Sequence, residues 1–136
     1  MTHELLACGN IARDVIFDHE NFGGSAAAIA VNASRLGIST GLISVVGKDP
    51  TSDRYLDFLS KNNINIELVE RRLENLPECI ISAQPGTAPN IEWVDNGSHE
   101  AMNDMKINFK QALKYSVTHL VSCSPGLANA LIKSGV

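Results

Sequence analysis

The residues from Phe22 to Gly37, FGGSAAAIAVNASRLG, limit what this chain can fold into more than any other stretch. Two glycines run straight into a helix-forming segment. Ala26, Ile29, Ala30, Ala33 and Leu36 then recur at the spacing of one helical face. A face made mostly of alanine can lie very close to whatever it packs on. Gly37 stands where a left-handed C-terminal cap belongs. At the other end, the glycines let the backbone approach a ligand with no Cβ in the way, and the N–H groups of the first turn face the same point. Physically, the stretch is either a tight turn before a packed helix or a binding loop for an anion or polar oxygens.

The rest of the composition narrows the setting. A chain of 136 residues, 44% apolar and 19% charged, can bury one core and lacks the bias of a disordered segment. The net charge of −4, with no basic run interleaved with aromatics, gives no nucleic-acid partner. No apolar run is long enough to cross a bilayer, and the opening MTHELLACGN has an early acid and no basic region, unlike a signal peptide. No membrane partner is expected, and the cytoplasm is the expected compartment. Cys8, Cys79 and Cys123 are widely spaced without a C-x-x-C pair, so buried reduced thiols are expected. His3, His19, His99 and His119 show no ligand spacing, and no metal site is expected.

Along the chain, Glu4–Cys8 reads as a buried strand ending in the turn Gly9-Asn10. Ile11–Phe17 is apolar again but contains Arg13 and Asp14. A carboxylate there needs a partner such as Arg13 or a backbone N–H, or else it is aimed at a ligand. DHENFGG reads as a connection into the helix. Thr40–Val46 is a β-branched strand that completes a βαβ unit with parallel strands. Asp49 and Pro50 open a second helix as cap and first-turn residue, with Tyr55, Leu56 and Leu59 on its buried face and a stop near Asn62. Ile64–Val69 returns to strand character. Between Arg71 and Gly97, short extended pieces alternate with turn signals at hairpin distance, and Trp93 among them reads as core or rim packing. Asn103–Tyr115 shows helical period, with Met105, Phe109, Ala112 and Leu113 on one face and Lys106, Lys110 and Lys114 on a solvated one. His119–Cys123 reads as a buried strand, and Leu127–Lys133 as a last helix.

The pieces GNIARD (Gly9–Asp14), GGSAAAIAVNASRLG (Gly23–Gly37), GLISVVGKDPTSDRYLDFL (Gly41–Leu59), NNINIELV (Asn62–Val69) and HLVSCSPGLANAL occur in that order. Together they resemble the N-terminal half of the ribokinase-like (PfkB) carbohydrate kinases. The resemblance implies an α/β fold: a Rossmann-like parallel sheet with flanking helices, a partial ribokinase-like fold, plus a small antiparallel β lid. Residues 1–70 and 98–136 would form the substrate-binding core and residues 71–97 the lid. The implied activity is phosphoryl transfer from ATP to a hydroxyl of a sugar, nucleoside or related alcohol. Asp14 would bind substrate hydroxyls, Gly23 and Gly24 would approach the same substrate, and Gly47 and Asp49 match a G-x-D turn near it.

Departures from the family pattern qualify this. Ala28 and Ala12 stand where members commonly carry asparagine, Asn10 being placed to compensate for the second, and Ser52 replaces a frequent glycine. The expected substrate-binding set is therefore Asn10, Asp14, Gly23, Gly24, Gly47 and Asp49, with no catalytic residue assigned. ATP and Mg2+ are implied by the resemblance but would be held mainly by a C-terminal half, since no G-A-G-D segment occurs in these 136 residues. On this reading the chain is a kinase fragment, inactive alone, whose last strand is left as an open edge prone to dimerisation or self-association. The alternative is a non-catalytic substrate-binding or dimerisation module derived from such a kinase. A Rossmann dinucleotide domain is disfavoured, because the first strand leads into G-N-I and no G-x-G-x-x-G is present.

Overall fold

The computed structural model describes residues 3–72 and 74–136, so Met1, Thr2 and Leu73, which fall in the stretches expected as core and lid, lie outside the described residues. The chain forms a parallel sheet covered by helices and a second sheet beside it. In the first sheet the order is β5-β4-β1-β8, from β1 (His3–Gly9), β4 (Thr40–Val46), β5 (Val69–Arg71) and β8 (Tyr115–Val121), all parallel. Side chains alternate across β1. Leu6 and Cys8 enter one core layer, and Ala7 enters the other. The Ala7 layer is closed by α1 (Ser25–Arg35) and α2 (Pro50–Lys61). The opposite layer is closed by a 3-10 helix (Gly97–Asp104), the short α3 (Phe109–Ala112) and α4 (Pro125–Lys133).

Alanine makes α1 a close-packing helix, as expected: Ala26, Ala27, Ala30, Val31 and Ala33 are buried. Leu36, expected on that face, is 81% exposed because the helix ends at Arg35 and Gly37 turns the chain with φ 86°. Asp49 caps α2, accepting from Ser52 N at 2.9 Å, with Pro50 in the first turn. Tyr55 and Leu59 are fully buried.

Other expectations need correction. DHENFGG is largely a strand, β3 (His19–Gly23), folded back on β2 (Ala12–Ile16) through positive-φ residues Phe17 and Asp18. Within Ile64–Val69 the chain makes only a bridge at Asn65 before β5. The helix expected over Asn103–Tyr115 is broken. Asp104 ends the 3-10 helix, Asn108 caps only four residues, Leu113 is 54% exposed, and Tyr115 already begins β8. The strand read as buried over His119–Cys123 runs Tyr115–Val121 instead; it is the end strand of its sheet and mostly exposed, with Val117 57% exposed, as an open edge would be.

The second sheet has the order β3-β2-β6-β7, with β6 (Glu78–Ser82) and β7 (Asn90–Asp95). Both hairpins are antiparallel, but the central β2–β6 pairing is parallel. The stretch 71–97 thus supplies two of its four strands, and residues 12–23 supply the other two.

Candidate acceptor-binding site

In an open parallel sheet, a crevice forms beyond the carboxyl ends of the strands where neighbouring connections run in opposite directions. Here β1 leads through α1 to β4 on one side and has β8 on the other. Asn10 leaves the end of β1, Ser25 begins α1, and Ser122 leaves β8, with Ser122 Oγ 3.3 Å from Ser25 Oγ. Asn10 Oδ1 accepts from Ser25 N at 3.1 Å, which satisfies one orphan donor of the helix and fixes the turn.

Over this point the second sheet builds a wall. The cavity between has a volume of about 370 Å³, and Asn10, Asp14, Gly23 and Gly24 all line it. Cys79 pairs with Trp93 and Ile81 with Ile91 across β6 and β7, so these four side chains share one face and form the apolar side. Trp93, expected as packing, is 49% exposed and belongs to the cavity instead. Ala12 and Ala28 also line it.

The two glycines do different work. A Cβ on Gly23 would lie 1.8 Å from Asp14 Oδ2 and 2.3 Å from its Cγ, so the space that glycine leaves is filled by the carboxylate. Gly24 has φ 98°, and a Cβ there would sit 2.5 Å from Ile11 Cα and 2.6 Å from the Asn10 carbonyl oxygen. The Tyr55 hydroxyl donates to the Gly23 carbonyl, and the Tyr55 ring stacks on Phe22 with centroids 4.7 Å apart. Acid and glycines therefore converge on one cleft.

Arg13 is not the partner of Asp14. It alternates to the other side of β2, where Nε donates to Glu20 at 2.8 Å and Nη1 donates to Glu78. Among the described residues Asp14 has no ion pair, and burial raises its carboxyl above the ordinary carboxylate value. Burial and then the Asp14 charge also raise the Tyr55 phenol and the Cys79 thiol.

Gly47 and Asp49 are placed elsewhere. Gly47 N donates to Ser52 Oγ at 2.9 Å, and Asp49 accepts from Ser52 N, Ser52 Oγ and Leu76 N at 2.9, 2.8 and 2.9 Å. Burial works against ionisation of Asp49, but these hydrogen bonds outweigh it and hold the carboxyl below its ordinary value. The pair builds the turn from β4 into α2 and does not line the cavity.

The cavity carries one carboxylate, an amide, a serine and no lysine or arginine. Hydroxyl donors suit it, and a triphosphate does not. The described residues also contain no group of three His, Cys, Asp or Glu able to hold a metal ion. The lining therefore offers the phosphates of ATP no cationic side chain. No helix among the described residues is long and apolar enough to cross a membrane.

The profile of the pfkB family carbohydrate kinase matches residues 15–132. A Pyrococcus horikoshii protein named as a sugar kinase is 29% identical over 97 residues, covering 71% of this chain and 31% of the relative. Its crystal structure, titled an uncharacterized sugar kinase, superposes with a TM-score of 0.82 at 23% identity, over 95% of this chain and 48% of that one, and the same protein has been solved in complex with ATP. A nucleoside kinase of Methanothermobacter thermautotrophicus is 35% identical over 80 residues, covering 47% of this chain and 26% of the relative. Halothermothrix orenii fructokinase shares the fold, with a TM-score of 0.81 at 24% identity over 97% of this chain and 52% of that one. The chain spans about a third or less of the curated relatives' length and about half of the solved structures. With most of its length matched in order and the fold reproduced, the chain belongs to the pfkB family of carbohydrate kinases.

Proposed function

We propose that these residues form the acceptor-binding portion of an ATP-dependent kinase that phosphorylates a hydroxyl of a sugar, nucleoside or related alcohol. The observation that carries this is the Asp14 carboxylate over Gly23, without an ion pair among the described residues and facing a cavity of about 370 Å³. A half-buried carboxylate without a cation is stabilised by two hydroxyl donors, such as a vicinal diol. Because Asn10 Oδ1 is engaged by Ser25 N, its amide nitrogen is the end that donates to the acceptor. Trp93, Ile81 and Ile91 cover the apolar face of a ring and exclude water from it. The second sheet acts as a lid on the bound alcohol. Asp49 and Gly47 act on this site only by holding the α2 entrance in place.

Phosphoryl transfer needs donors for the charge on the phosphate oxygens and a base for the attacking hydroxyl. The cavity has no cation to supply the first, so on this reading the 136 residues bind acceptor without transferring phosphate. The open edge of β8 then makes self-association the expected state of the isolated chain.

A thermal-shift screen of pentoses, hexoses and ribonucleosides tests this, with Asp14→Ala alongside and turnover of ATP with Mg2+ as a second readout. A stabilising alcohol lost in Asp14→Ala, with no turnover, is expected. A hit unaffected by Asp14→Ala overturns the site. Transfer by the chain alone overturns its restriction to binding.

A further inference from the structure

Behind the cleft the fold brings together two thiols that the cavity does not use. Cys8 Sγ and Cys123 Sγ lie 3.8 Å apart, although 115 residues separate them in sequence. Cys8 sits in the central strand β1 and is fully enclosed, whereas Cys123, in the turn between β8 and α4, is partly exposed. Cys79 is also buried, but it lines the cavity beside Asp14 and Trp93 and has no thiol beside it among the described residues.

We infer that Cys8 and Cys123 form a dithiol modification site for peroxides, in which Cys123 is oxidised first and Cys8 resolves it to an intramolecular disulfide. Access orders the two steps, because only Cys123 reaches solvent. Local electrostatics agree with that order. The contact with Cys8 lowers the Cys123 thiol against its burial, helped by the Ala128 N–H in the first turn of α4. The same contact, with burial, raises Cys8 and keeps it protonated.

The chemistry balances. The Cys123 thiolate attacks one peroxide oxygen, forming a sulfenic acid and releasing hydroxide. The Cys8 sulfur then attacks the Cys123 sulfur and displaces its oxygen, which leaves as water with the Cys8 proton. Two thiols are oxidised to one disulfide, and the peroxide is reduced to two waters.

Closing from 3.8 Å to a bond of about 2.05 Å asks for a shift of under about 2 Å. The turn that carries Cys123 is where this movement falls, beside Ser122 with its φ of 45°. That turn also touches the cleft, through Ser122 Oγ against Ser25 Oγ. A disulfide here would tie the end strand to the centre of the sheet across nearly the whole chain.

The test is hydrogen peroxide treatment of the 136-residue chain, followed by intact mass, non-reducing peptide mapping and melting. The expected product has lost two hydrogens, links the Cys8 and Cys123 peptides within one chain, and melts roughly 5–10 °C higher until reduced. Peptide mapping of oxidised Cys79→Ser should still show the Cys8–Cys123 link. In Cys8→Ser the oxidation should stop at Cys123 as a sulfenic acid that dimedone traps. Cys123 remaining fully alkylatable after peroxide, a bond formed only between chains, or a link to Cys79 would each overturn the inference. All three can be read on the unmutated protein, so they hold even if a variant fails to fold.

Discussion

Replacing Gly23 with alanine separates binding from folding at this site. The added Cβ would stand 1.8 Å from Asp14 Oδ2, and the group it displaces is the tip of a short side chain. The carboxylate can swing aside, so the fold should lose no more than about 1 kcal/mol, or a few degrees of Tm. In swinging aside it leaves the acceptor. One charge-assisted hydrogen bond is worth about 1.5–3 kcal/mol, so losing a single one weakens Kd by roughly 10- to 150-fold. Gly24→Ala is the contrasting variant. Its Cβ would meet backbone, 2.5 Å from Ile11 Cα, at a φ of 98° that side chains rarely take, and neither can yield cheaply. That change should cost about 2–4 kcal/mol of stability. Calorimetric titration with an alcohol that stabilises the parent chain, together with melting curves, reads both effects. Gly23→Ala binding as well as the parent, or melting as low as Gly24→Ala, would refute the reasoning.

Three further outcomes follow from the same geometry. The Asp14 carboxyl is raised on folding, so its contribution is present at low pH and is lost as pH rises from the unfolded value through the folded one. Asp14→Asn should therefore melt slightly higher than the parent at neutral pH while binding the acceptor more weakly. The Asp49 carboxyl is lowered, so its contribution is present above the unfolded value and is lost as pH falls through the folded one. Asp49→Ala removes the α2 cap and should cost about 1–2 kcal/mol by denaturant titration, with little direct effect on affinity. Val117 is 57% exposed on the end strand β8, and Val117→Lys should shift sedimentation towards monomer if that edge mediates self-association.

What could be read in the sequence followed the strength of local signals. Thr40–Val46 is β-branched and wholly buried, so its run of apolar residues stands out. The α2 start was legible because Asp49 suits a helix cap and Pro50 a first turn. Strand β3 escaped notice because it is an exposed edge of polar residues with no alternation to read. The period over Asn103–Tyr115 misled because Met105 and Ala112 reach the core from two separate short turns, not from one helix face.

At the site, Asn10, Asp14, Gly23 and Gly24 are close in sequence and lie in one hairpin and its approach, so their convergence could be anticipated. The apolar side could not be anticipated by type alone. Yet Cys79, Ile81, Ile91 and Trp93 alternate along two strands, and pairing those strands in register would have placed all four on one face. Gly47 and Asp49 form the turn into α2 and do not line this cavity, which their G-x-D pattern alone does not reveal.

The central claim is tested most directly by an NMR titration of the isotope-labelled chain with a stabilising alcohol. The amides of Gly23, Gly24 and Ser25, the Asp14 carboxyl and the Trp93 indole should shift together and saturate with one dissociation constant. Shifts confined to other elements, such as α4 or the turn at Gly47 and Asp49, would contradict it.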